Sequence, residues 1–221
     1  MNLLALEFSS DRRSAAVAAN GIVLAESHVI GVRSTSAPDL IAEALQLAGL
    51  HPSQVHRLAV GIGPGSYTGI RRAIATLQGW HLATRAPVVP VGSFDILARM
   101  THAELQRPCI LVADAQRQEW ACAHAAEGRL ASAITLHPRS TVETWIREGH
   151  TVVSPDPGLS GTLPMFPSAR VAAQLAADLP PVPPESLAAL YLREAAFIKA
   201  PPQRNLDALL SPLPTAPDSA S

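Results

Sequence analysis

The residues with the most chemical character lie in Val60-Gly-Ile-Gly-Pro-Gly-Ser-Tyr-Thr-Gly-Ile-Arg-Arg72. An apolar run breaks there at Gly61, Gly63, Pro64 and Gly65, because glycine reaches φ > 0 and proline fixes φ while removing a donor. Ser66 and Thr68 are good helix N-caps, and Ile70, Ile74 and Leu77, with Ala73 and Ala75 between them, carry a helical pattern to Thr84. Strand, glycine turn and helix together aim backbone N–H groups and a helix dipole at an anion, and phosphate is the obvious candidate. The run is neither G-x-x-x-x-G-K-[ST], which needs a lysine, nor G-x-G-x-x-G. It therefore reads either as a nucleotide site or as a tight turn packing a helix onto a sheet. The residues concerned are Gly63, Pro64, Gly65, Ser66, Thr68, Gly69 and Arg71. Arg71 and Arg72 fall in the first turn of the helix, where the dipole disfavours cations, which hints at a carboxylate or bound anion beside one of them.

Other chemistries find less support. Glu7 and Asp114 end apolar strands, where a magnesium ion or a ribose could be met, although carboxylates at strand ends are usually solvated. None of the eight histidines has another three or four residues away, so no metal site is expected. Ser66 lacks the spacing of a G-x-S-x-G nucleophile elbow and reads as a cap. Cys109 and Cys122 lie on strands expected to pair, and read as reduced core thiols.

The elements that position these residues follow in order. Leu3 to Phe8, Ser14 to Ala19 and Ile22 to Ile30 read as three antiparallel strands, the last two joined by the hairpin signal Asn20-Gly21. A helix from Pro38 to Ala48 carries a stripe of Leu40, Ile41, Ala44 and Leu45, and Gly49 stops it. Leu58 to Ile62 and Val88 to Val91 are strands separated by the helix after the turn, so they pair in parallel through a crossover. After Ser93 to Leu105, a helix, the pattern recurs. Cys109 to Ala113 and Glu119 to Ala125 form a hairpin, Arg129 to Leu136 a third strand, Thr141 to Glu148 a helix, and Ser168 to Asp178 an alanine-rich helix. The tail from Ala200, with five prolines, is expected not to order itself. The expected divisions are 1–107, 108–199 and 200–221.

At 221 residues, 48% hydrophobic and 16% charged, the chain can bury a good core. A net charge of -1 offers no general attraction for nucleic acid. Glu7 comes too early for a signal h-region or a membrane span, so a cytoplasmic protein is expected.

Five stretches, in this order and spacing, resemble the TsaB (YeaZ) family, the dimerisation subunits of the bacterial tRNA threonylcarbamoyladenosine machinery. They are Leu3-Leu-Ala-Leu-Glu-Phe-Ser-Ser, Gly61 to Arg71, Pro90-Val-Gly-Ser-Phe, Asp114-Ala-Gln-Arg-Gln-Glu-Trp120 and Tyr191-Leu-Arg193. The resemblance implies the α/β fold of actin, sugar kinases and heat-shock chaperone ATPase domains: two lobes, each with a mixed sheet that opens with antiparallel strands. It also implies a non-catalytic subunit working with the catalytic paralogue TsaD and the ATPase TsaE, a homodimer when alone, and tRNA contact only through the complex. No membrane contact, no metal and no cofactor of its own are implied, with ATP or ADP left to the interface with TsaD. The helices meet their counterparts as a four-helix bundle in that family, and this assigns Leu40, Ile41, Ala44, Leu45, Ile70, Ala73, Ile74 and Leu77 to the partner interface. TsaD carries an H-x-x-x-H pair where this chain has Ser34-Thr-Ser-Ala-Pro-Asp39. The alternative is an ATPase or kinase-like phosphotransferase with Glu7 and Asp114 at magnesium.

Overall fold

The structure, a computed structural model, describes residues 1–31 and 36–192. The tail from Ala200, Arg193, and Ser34 and Thr35 of the stretch that replaces the H-x-x-x-H pair lie outside the described residues. The first sheet holds β1 (Asn2–Glu7), β2 (Arg12–Ala19), β3 (Ile22–Ile30), β4 (Arg57–Gly61) and β5 (Val88–Val91) in the order β3-β2-β1-β4-β5. β1 pairs antiparallel with β2, as β2 does with β3, while β4 lies parallel to both β1 and β5. The central β1 is apolar on both faces because helices cover both, and Leu3, Leu4, Ala5 and Leu6 are all buried.

Two helices cover one face, α1 (Ala37–Leu47) and α2 (Tyr67–Thr84). Leu40, Ile41, Ile70, Ile74 and Leu77 pack there with Leu4, Leu6, Val17 and Val60. Between the two sheets runs α3 (Ser93–Leu105), with Ile96 in the first sheet's core and Phe94, Leu97 and Ala98 in the second's.

The second sheet repeats the plan. Its strands are β6 (Cys109–Asp114), β7 (Glu119–Ala126), β8 (Arg129–Leu130), β9 (Thr135–Pro138), β10 (Val152–Ser154) and β11 (Leu163–Pro164). The order is β11-β10-β6-β7-β8, with β9 also on β7. β6 and β7 form the antiparallel opening, and β10 pairs in parallel with β6. Two mixed sheets that each open with antiparallel strands make the two-lobed actin-like ATPase fold. The single strand expected over Arg129 to Leu136 is split in two, because Ala131 bonds back to the His124 carbonyl and the Ser132 hydroxyl takes the His124 N–H, which spends the strand's polar groups on a turn. Outside the second sheet lies α4 (Arg139–Arg147), where Val142 is buried among Ile110, Val112 and Cys122. Cys109 packs in the opposite cluster, so the two thiols sit on opposite faces and both are free. Burial pushes the Cys122 thiol up to about 12.

The last helix, α5 (Ala169–Leu175), returns to the first sheet. Ala169, Ala172, Ala173 and Ala176 are buried beside Leu3, Ala5, Ala16 and Val89, and Leu187 and Ala189 join the core under α1 and α2. The strands of the two sheets thus fall on either side of residue 108, while residues 169–190 pack with the first sheet.

Candidate functional site

The glycine turn is built around a buried carboxylate. Glu7, at the end of β1, is wholly inaccessible to solvent. Its Oε1 accepts from the Ser9 N–H at 2.7 Å and its Oε2 from the Ser93 hydroxyl at 3.0 Å. Ser93 Oγ in turn accepts from the Gly63 N–H at 3.1 Å, and the Ser93 N–H donates to the Gly63 carbonyl at 2.8 Å. Burial raises the Glu7 pKa above the usual carboxylate range, while the bonds from Ser9 and Ser93 pull it back. The Gly63–Pro64 peptide is cis, and Gly63 and Gly65 have φ of +98° and +144°. Ser66 caps α2 by accepting from the Gly69 N–H at 3.3 Å, and its own N–H donates to the Ser9 carbonyl at 2.7 Å. The glycines serve close approach as much as conformation. A Cβ at Gly65 would strike the Ser9 carbonyl and one at Gly69 the Phe8 carbonyl, both far inside van der Waals contact. The space that glycines leave for a phosphate in a phosphate-binding loop is filled here by the chain's own β1–β2 turn.

In front of this turn, facing the second sheet, is a cavity of about 420 Å³ lined by Asp11, Ser66, Thr68, Asp114, Gln116 and Asp156, among others. Asp156 accepts from the Asp114 N–H at 2.8 Å, and Asp114 accepts from the Gln116 N–H at 2.7 Å. Burial raises the Asp156 pKa, and the nearby carboxylates of Asp114 and Asp11 raise it further. The fold's usual occupant, a nucleotide polyphosphate, does not fit this lining. Among the described residues three carboxylates and no lysine or arginine form the wall, and the glycines are spent on Phe8 and Ser9. Glu7 and Asp114 do not form a magnesium pair either: Glu7 is committed to Ser9 and Ser93, and only Asp114 lines the cavity. Among the described residues no three His, Cys, Asp or Glu side chains gather as a metal site.

The partner-interface assignment needs correction at every residue. Leu40, Ile41, Ala44, Leu45, Ile70, Ala73, Ile74 and Leu77 are all buried in the chain's own core, Ile74 the most accessible at 6%. The physical reason is that an apolar stripe at helical spacing is first required by the sheet beneath it. What the helices turn outward is different: Ala42, Glu43, Gln46 and Leu47 on α1, and Arg71, Ala75, Gly79, Leu82 and Ala83 on α2. Leu47 and Leu82 are 62% and 70% exposed. Ala75, Gly79 and Ala83 recur every four residues, so they form one line of minimal bulk along which a second helix can approach closely.

At the N-terminal end of this face Arg71, which the sequence reading singles out for an anion, joins a cluster with Tyr67 and Tyr191 that the sequence reading does not assemble. Tyr67 and Tyr191 rings sit 5.7 Å apart at 56°, and the Tyr191 hydroxyl donates to that of Tyr67 at 3.3 Å. The Arg71 guanidinium stands 5.2 Å from the Tyr67 ring centre and donates to its hydroxyl at 2.8 Å. The available signal is the Tyr67-x-x-x-Arg71 spacing, one helical turn.

Residues 33–135 match the family model described as TsaD, tRNA N6-adenosine threonylcarbamoyltransferase. A segment is 38% identical over 60 residues to the tRNA threonylcarbamoyladenosine biosynthesis protein TsaB of Haemophilus influenzae, covering 27% of this chain and 25% of that one. Another is 28% identical over 100 residues to TsaB of Escherichia coli, covering 45% of this chain and 43% of that one. The matched segments thus span less than half the length of these curated relatives. The crystal structure of YeaZ from Pseudomonas aeruginosa superposes with a TM-score of 0.71 at 26% identity, over 86% of this chain and 99% of that one.

Proposed function

We propose, from the premise that this chain belongs to the TsaB/YeaZ family, that it acts in tRNA threonylcarbamoyladenosine biosynthesis as a non-catalytic docking subunit. The observation that carries this reading is the outward surface of α1 and α2, where Ala75, Gly79 and Ala83 form a low-bulk line on α2 and Leu47 of α1 and Leu82 of α2 are exposed. A helix pair of TsaD seats on that face, and in its absence a second copy of this chain does. Threonylcarbamoyl transfer takes place on TsaD, with TsaE as the third component. The acid-walled cavity supplies no counter-charge for ATP or ADP, so any nucleotide held at the interface with TsaD draws its cationic contacts from elsewhere. With a net charge of -1, the chain meets tRNA through the assembly rather than alone. No helix among the described residues is long and apolar enough to cross a membrane.

Deleting the gene and measuring nucleosides of total tRNA by mass spectrometry tests this role. Threonylcarbamoyladenosine disappears, the intact gene restores it, and the Leu82→Asp variant, charged on the docking face near the C-terminal end of α2, fails to restore it although it accumulates as a folded protein. Unchanged modification in the deletion strain overturns the proposal.

A further inference from the structure

We infer that Tyr67, Arg71 and Tyr191 form a receptor for one carboxylate side chain of the partner, which fixes the register in which the partner seats on α2. The inference rests on the docking reading above and adds the chemistry of one contact. Arg71 stands in the first turns of α2, where the dipole presents positive charge and a further cation is disfavoured. Among the described residues it forms no ion pair with a carboxylate; its contacts are the ring and hydroxyl of Tyr67. Tyr191 braces Tyr67 from a separate segment of chain, so the guanidinium is held in place rather than free to sweep solvent.

The same three side chains line a groove of about 330 Å³ that runs along α2 past Ile74, Ala75 and Gln78. Its far wall is the 187–191 segment. A positive helix end, a fixed guanidinium fork and two tyrosines are the complement of a planar anion with apolar stem, the description of an aspartate or glutamate side chain. The cavity in front of the glycine turn has the opposite character, with Asp11, Asp114 and Asp156 on its wall, so an acidic group is drawn to the groove and not to the cavity. Ala75 belongs both to the groove and to the low-bulk line, so a helix seated on that line passes the receptor.

Affinity measurements by calorimetry with purified TsaD of the same organism test this. Arg71→Gln weakens binding by about 30-fold or more, the loss expected on truncating one partner of a desolvated charge pair. Arg71→Lys recovers only part of it, because an ammonium keeps the charge and loses the fork. Arg71→Glu abolishes binding, and an acidic-to-arginine substitution at one position of TsaD restores it. Leu82→Asp is the control for the docking face away from the receptor. If Arg71→Gln binds within twofold of the unaltered chain while Leu82→Asp does not bind, the receptor is wrong and the docking reading stands. If both bind normally, the docking reading is wrong and the receptor falls with it. A loss at Arg71 that no substitution on TsaD rescues overturns the carboxylate assignment.

Discussion

Gly69 and Gly79 lie on the same helix, yet replacing each by alanine is expected to act in opposite directions. A Cβ at Gly69 meets the backbone carbonyl of Phe8, which cannot swing aside as a side chain would, so Gly69→Ala costs about 2–3 kcal/mol. Gly79 faces open space, and Gly79→Ala gains about 1 kcal/mol of helix propensity. Urea unfolding of the two variants checks the contrast, and a neutral Gly69→Ala would show that the β1–β2 turn does not press on the helix. Glu7 carries a second prediction at this scale. Its folded pKa is raised by burial, so the folded state holds the proton more tightly than the unfolded chain does. Its contribution is then fully favourable below the ordinary carboxylate range and is lost as pH rises through the raised folded value. Glu7→Gln removes that decline: its carbonyl still accepts from Ser9, and unfolding midpoints followed from about pH 4 to about pH 8 flatten relative to the unaltered chain. An unchanged pH profile would mean that the buried carboxylate does not set it.

Helix α2 shows what an element's sequence discloses and what it withholds. Its start, its cap at Ser66 and its extent to Thr84 are legible, because caps and 3.6-residue periodicity are local properties. Which face meets a partner is not legible from apolarity, since Ile70, Ile74 and Leu77 satisfy the sheet first and leave the partner a face of alanine, glycine and one leucine beyond Tyr67 and Arg71. The expectation is that Ile74→Glu, which places a charge in the core, costs about 3–5 kcal/mol and fails to give a folded chain. Leu82→Asp keeps the circular dichroism and melting behaviour of the original while losing association. If Ile74→Glu folds and only association is lost, the helix is turned the other way in solution. The glycine turn was legible as a break and as a helix start. That its glycines are filled by Phe8 and Ser9 was not, because the contacts join residues about sixty positions apart and leave no local pattern.

At the scale of the whole molecule, the repeated opening of strands in each half is written in the sequence, while the return of α5 to the first sheet is not. An alanine-rich helix carries no sign of which sheet it joins, and the residues that receive it, Ser14 and Glu26, look like ordinary strand polar residues. In the structure Ser14 is fully buried and its hydroxyl accepts from the Ala169 N–H at 2.8 Å, at the start of α5. Glu26 accepts from the Arg170 N–H at 3.1 Å and stands 3.7 Å from the Arg12 and 3.9 Å from the Arg170 guanidinium. These two side chains hold the end of the second half against β2 and β3, and α3 makes the other connection between the sheets. Ser14→Ala leaves the Ala169 N–H buried without its acceptor, a loss of about 1–3 kcal/mol. Because α5 is short and its buried residues are alanines, it has little apolar area to keep it docked once that bond is gone. Hydrogen exchange is the suitable measurement, since it resolves local opening from global unfolding. In Ser14→Ala, the amides of Ala172 and Ala173 exchange faster while those of β6 and β7 keep their protection, which marks α5 as a separable clasp. Equal acceleration throughout would instead mean that the two sheets and α5 open as one unit.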